Sequence, residues 1–144
     1  MSTAPAIDER EHAAVVIAAI KAALTVLHPE IGDNVYSLGD VPGEDTNPGT
    51  LPETFVAIQI ERRPVDSNRL VSTDTRSGWR VIAQYVARTA NNARLAKLAV
   101  INGLEGQRLV IAGVTSTPVK FELSRAIAPD SGMVSGSSQW TYGM

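Results

Sequence analysis

With 144 residues, 44% of them hydrophobic and 19% charged, the chain fits one ordinary globular domain that buries roughly 70% of its unfolded surface, and its composition excludes the collagenous and bulk-disordered classes. The absence of cysteine excludes disulfides, thiolate nucleophiles and cysteine-ligated metals. A net charge of −2 hides an asymmetry: residues 1–53 carry nine acids against Arg10 and Lys21, a balance of −7, and residues 54–144 carry eleven bases against six acids, a balance of +5.

In chain order, residues 1–6 read as a flexible lead. From Ile7 to about His28 the positions Ala13, Val16, Ile17, Ile20, Leu24 and Leu27 recur at three and four, with acids in the first turn and Pro29 behind them, which predicts an amphipathic helix. The apolar stretch Ala13 to Leu27 is too short for a bilayer, contains Lys21 and follows an acidic Asp8-Glu9-Arg10-Glu11 run where a signal peptide would be basic. A cytosolically made, unexported protein away from membranes is expected. Residues 29–53, broken by Gly32, Gly39, Pro42, Gly43, Pro48, Gly49 and Pro52, are expected to be one long loop with a short extended piece at Val35-Tyr36-Ser37-Leu38. A loop of that length is either a contact surface or a passive excursion.

Phe55 to Glu61 alternates, with Val56, Ile58 and Ile60 on one face, and Ser77 to Arg88 alternates with Trp79, Val81, Ala83, Tyr85 and Ala87 inward; both predict strands, antiparallel neighbours joined by an arm over 64–76 that projects from the body. Ala90-Asn91-Asn92 offers N-caps for a helix to about Leu104, with Leu95, Leu98 and Ile101 inward and Gly106 as its stop. Arg108 to Ala112 is a short strand. Val119, Phe121 and Leu123 share one face of another, Pro129-Asp130-Ser131-Gly132 turns the chain, and Met133 to Tyr142 returns with Val134, Ser138, Trp140 and Tyr142 in phase. This order predicts a single α+β domain over 1–144, a largely antiparallel sheet with two main helices packed on one face.

Motifs for chemistry are missing: no phosphate loop, dinucleotide fingerprint, nucleophile elbow, zinc-protease helix or EF-hand. Gly132-Met133-Val134-Ser135-Gly136 has the wrong spacing for a nucleophile elbow, and no His or acid follows Ser135. His12 and His28 stand about 24 Å apart along a helix, too far to share a metal, and His28 suits the helix C-terminal dipole. Asp40, Glu44 and Asp45 lack calcium-loop spacing and read as solvated acids. Neither a cofactor nor a metal is expected, and the chain reads as a non-enzyme. Between Glu61 and Arg94 seven arginines stand against three acids. Arginine pairs bidentately with carboxylates and phosphates alike, and with few aromatics and a net negative chain, protein carboxylates are the expected partners. Arg62, Arg63, Arg69 and Arg76, with Asp40, Glu44 and Asp45, are the candidate subunit or partner interface. The acidic and basic halves meet head to tail between copies, pair within one subunit, or are solvated.

A leading amphipathic helix, a loop with Leu38-Gly39-Asp40, a strand with Val56-Ala57-Ile58-Gln59, a charged arm, the strand Gly78-Trp79-Arg80-Val81-Ile82-Ala83-Gln84-Tyr85-Val86-Ala87, a helix and a last hairpin closing on Gln139-Trp140-Thr141-Tyr142 together resemble the tail terminator (tail completion) proteins of long-tailed bacteriophages, over nearly the whole chain. The resemblance implies a ring-forming α/β subunit, a homohexamer at the head-proximal end of the tail tube in the virion. Such a ring stops tube polymerisation and joins the tail tube protein to the head-side connector or stopper protein, with DNA only in transit through its channel. On that reading the 64–76 arm contacts a neighbouring subunit or the tube. The alternatives are another neck or head-completion protein such as a stopper, or a small-molecule-binding domain or hydrolase using Asp40, Glu44 or Ser135.

Overall fold

A computed structural model describes residues 8–32, 34–42, 52–63, 78–130 and 132–144, with Arg63 and Asp130 described by their backbone alone. Helix α1 runs Glu9–Leu27. Its cap is Asp8, whose carboxylate accepts from the Arg10 N–H at 3.0 Å and satisfies one of the free donors of the first turn. His12, Val16, Ile20 and Leu24, four residues apart, form its buried stripe. His28 closes the helix through its backbone N–H, which donates to Leu24 O at 2.7 Å, while its ring Nδ1 is buried without a hydrogen-bond partner.

Pro29–Ile31 makes one tight turn and leads to strand β1, Val35–Ser37, where the short extended piece was expected. Strand β2 spans Thr54–Arg63, β3 spans Gly78–Ala87, and α2 spans Ala90–Leu104. Then follow β4 (Arg108–Ile111) and β5 (Val114–Pro118), and finally β6 (Lys120–Asp130) and β7 (Met133–Gly143). Five strands form one sheet in the order β1-β2-β3-β7-β6, and β4-β5 form a second, two-stranded one. All pairings in the large sheet are antiparallel except β1 with β2. This is the α+β architecture anticipated, with one parallel strand added at the edge.

Both helices cover one face of the large sheet. Trp79, Val81, Ala83 and Tyr85 of β3, Trp140 and Tyr142 of β7, and Val56 and Ile58 of β2 meet Val16, Ile20, Leu24, Ala96, Ala99, Val100 and Leu104 in one core, closed at one end by Leu109, Ile111 and Val119. Trp140 and Tyr142 are core aromatics, as large rings with one polar atom usually are. On β2 burial does not alternate: Phe55, Val56, Ala57 and Ile58 are all buried. The chain after β1 folds across the opposite face there and places Val41 against Phe55 and Ala57, so this half of β2 is covered on both sides.

Four expectations need correction. The cap of α2 is Thr89, whose hydroxyl accepts from Asn92 N–H at 3.2 Å, rather than Ala90-Asn91-Asn92. The buried face of α2 is Ala93, Ala96, Ala99, Val100, Gly103 and Leu104, while Leu98 is 44% exposed and Leu95 and Ile101 are only partly buried. The reason is close approach: a Cβ on Gly103 would lie 2.9 Å from Ala19 O of α1, so small residues, not leucines, fit between the helices. Third, a strand the alternation did not reveal, β5, pairs with β4 across Ala112 (φ +51) and Gly113 (φ +82), two positive φ values in a row as in the tight hairpin loops. Finally, a β-bulge between Phe121 and Leu123 adds one residue and reverses the alternation. Phe121 lies opposite Trp140 on the helix-covered face, and Leu123 opposite Gln139 on the other, so the two do not share a face.

The expected stop at Gly106 is present: it adopts φ +71 and donates its N–H to Val119 O at 2.9 Å. The 1–6 lead, the 64–76 arm and residues 43–51 of the long loop lie outside the described residues.

Candidate functional site

The face of the sheet that the helices leave open is the first candidate surface. Because β3 and β7 alternate in register, Ile82, Gln84, Ser137, Gln139 and Thr141 project there, a mostly uncharged, hydrogen-bonding surface. At one end Arg80 links three strands: its Nη1 donates to Glu61 Oε1 of β2 at 3.1 Å, and its Nε donates across β7 to Glu122 Oε1 of β6 at 3.0 Å. The Glu61 and Glu122 hydrogen bonds hold the guanidinium pKa above its ordinary value. Arg80 is thus committed to its own subunit's carboxylates. Further along the same face a groove of about 540 Å³ is lined by Gln84, Arg125, Ser135, Ser137 and Gln139. Among the described residues, its lining holds no His, Asp or Glu.

The second surface is a groove of about 590 Å³ between the first half of α1 and the outer edge of β2, lined by Glu9, Arg10, Ala13, Ala14, Ile17, Leu38 and Ile60, among others. Its lining is largely apolar, and Leu38 stands 51% exposed at its side. Arg10 at its rim is held by Asp8 at 3.0 Å, a pair that lowers the Asp8 pKa through the Arg10 hydrogen bonds.

A third constellation is internal. His12 is fully buried, stacked on Trp79 with ring centroids 3.7 Å apart and hydrogen-bonded through Nδ1 to the Tyr142 hydroxyl at 2.5 Å. Burial raises the Tyr142 pKa well above the tyrosine range. These three side chains tie α1 to β3 and β7 beneath the helix-covered face, away from both grooves. Periodicity alone missed this role of His12; the only trace in the sequence is that it sits four residues ahead of Val16, in line with Ile20 and Leu24.

Of the residues predicted to form an interface, Arg62 is exposed near the end of β2 and Asp40 is exposed just after β1. The side chain of Arg63, and Arg69, Arg76, Glu44 and Asp45 entirely, lie outside the described residues, so the arm and loop clusters are neither assembled nor separated here. Among the described residues no three His, Asp or Glu side chains gather as a metal site, and no helix is long and apolar enough to cross a membrane.

No protein-family model matches the chain, and no curated protein matches it. Solved structures do. A chain of the virion of a native gene transfer agent particle aligns with TM-score 0.66 and 19% identity over 99% of this chain and 98% of that one. A second solved chain aligns with TM-score 0.59 and 8% identity over 95% of each. At these identities the likeness establishes a shared fold across essentially the whole described chain.

Proposed function

We propose that this chain is a structural subunit of a phage-like particle, and specifically a tail terminator: a subunit of a ring at the head-proximal end of the tail tube that stops tube polymerisation and joins the tail to the head-side connector. The observation that carries the reading is the near full-length fold match to a chain of a gene transfer agent virion, joined with the resemblance in element order and strand motifs. The subunit acts by assembly rather than catalysis. Its partners on this reading are further copies of itself, the tail tube protein and the connector, with DNA passing through the ring.

The mechanism is geometric. A ring bound to the last tube ring covers the surface on which the next would add, and its opposite face is then presented to the head. Quantitative mass spectrometry of purified particles, with labelling to place the chain, tests this. One ring's worth of copies at the head-tail junction is the expected result; a position elsewhere in the neck favours a stopper, and absence from particles overturns the reading.

A further inference from the structure

Among the described residues the five-stranded sheet ends on two edges that no further strand covers completely, and they match each other. On one side β1 covers only the first part of β2, pairing Val35–Ser37 with Val56–Ile58, and no strand among the described residues pairs with that edge beyond Ile58. Val56 N–H donates to Asn34 O and Ile58 O accepts from Leu38 N–H, both at 2.9 Å, so even-numbered residues of β2 aim their backbone groups at this edge and Ile60 continues the row. Beside it lies the apolar α1–β2 groove. The other edge is β6, eleven residues whose outer side is paired with nothing among the described residues and which exposes Phe121 (52%) and Leu123 (42%).

Resting on the assembly reading above, we propose that the α1–β2 groove receives the β6 edge of a second copy of this chain, with Phe121 as the anchor. Two observations select that occupant. The first is strand direction: three antiparallel steps separate β2 from β6, so β6 runs opposite to β2, and copies related by rotation about an axis along the strands bring β6 against β2 antiparallel. The second is side: Phe121 lies on the helix-covered face, packed edge-on against Trp140 at 5.4 Å, and the groove opens on that same face because α1 forms one wall. The bulges flanking Leu123–Arg125 keep backbone pairing short, so the Phe121 side chain rather than a long ladder sets the contact. Such an interface is heterologous, and it closes into a ring where the rotation permits.

The chain has no cysteine, so introduced pairs report cleanly. Ala14→Cys and Phe121→Cys proteins, mixed and oxidised with copper phenanthroline, are expected to give a cross-linked dimer that neither forms alone. Leu38→Asp and Phe121→Asp are each expected to weaken assembly, read by sedimentation velocity, about tenfold or more, as loss of a central apolar anchor does, with circular dichroism unchanged. Leu38 is a half-exposed turn residue, which keeps the test open if the Phe121 variant misfolds. An assembled wild type that neither forms the mixed cross-link nor responds to Leu38→Asp overturns this interface and leaves the assembly reading standing. Cross-links of Phe121→Cys to itself indicate a two-fold contact and overturn it as well. A chain monomeric at every concentration also overturns it, and the particle measurement then decides the assembly reading separately.

Discussion

Tyr85 sits fully buried on β3 against the backbone of Gly136, where a Cβ would fall 2.7 Å from its ring, so the glycine makes room for the tyrosine across the strand pair. Its hydroxyl has no hydrogen-bond partner; Ser138 is near enough to offset a little of the pKa rise that desolvation causes, but not in hydrogen-bonding geometry. Replacing an unpaired buried hydroxyl by hydrogen removes a desolvation cost of about 1 kcal/mol or more. Tyr85→Phe is therefore expected to leave stability unchanged or raise it by about that amount in urea unfolding. The same chemistry gives the molecule an alkaline limit. Tyr85 and Tyr142 both have pKa values raised by burial above the ordinary 10.0, so the folded chain keeps protons that the unfolded chain releases. Stability from this source is complete below pH 10 and declines as pH climbs through the folded values. A pH series of thermal melts is expected to be flat in this respect up to about pH 10 and to fall beyond it, less steeply in Tyr85→Phe.

At the level of elements, contact distance decides what hydrophobic pattern cannot. Gly103 faces Ala19 O and Ile20 Cα of α1, and Gly103→Ala, which on helix propensity gains about 1 kcal/mol, is expected instead to destabilise by about 1–2 kcal/mol because the helices must separate; the midpoint of urea unfolding reports it. Ala112, with φ +51, holds a conformation that costs an L side chain about 1 kcal/mol. Ala112→Gly is expected to recover part of that and raise the melting temperature by a few degrees. These positions also show what was legible in the sequence. Strong periods identified α1, β2, β3 and β7, since α1 buries a full stripe and β3 and β7 bury alternate residues against one core, while the alternating Val56 and Ile58 of β2 face that core even though its other face is covered as well. They located α2 and β4 but missed the buried face of α2, which is made of alanines and Gly103, and missed β5, reached through a turn that uses an alanine with positive φ. At β6 a bulge reverses the alternation that placed Phe121 with Leu123. The interface clusters were legible only as charge, because burial and pairing of arginines depend on strands far away in sequence, as Arg80 between Glu61 and Glu122 illustrates.

On the scale of the whole molecule, one core contains both helices and the centre of the large sheet. Unfolding is accordingly expected to be a single transition, with near-ultraviolet circular dichroism of Trp79 and Trp140 and far-ultraviolet ellipticity melting together; separate transitions would mean that the β4-β5 end or the α1–β2 edge melts by itself. The order of strands has a further consequence in time. The middle of the sheet is the pair β3–β7, in which Gly78 meets Gly143 and Ala87 meets Val134, while His12 closes against Tyr142. During synthesis the ribosome delivers α1, β2, β3 and α2 long before β7, and until residue 143 has left the exit tunnel the inner face of β3 lacks one of its two neighbours. The nascent chain therefore holds Trp79, Val81 and Tyr85 in an unfinished core, and the burden of guarding them falls on whatever attends the ribosome rather than on early native structure.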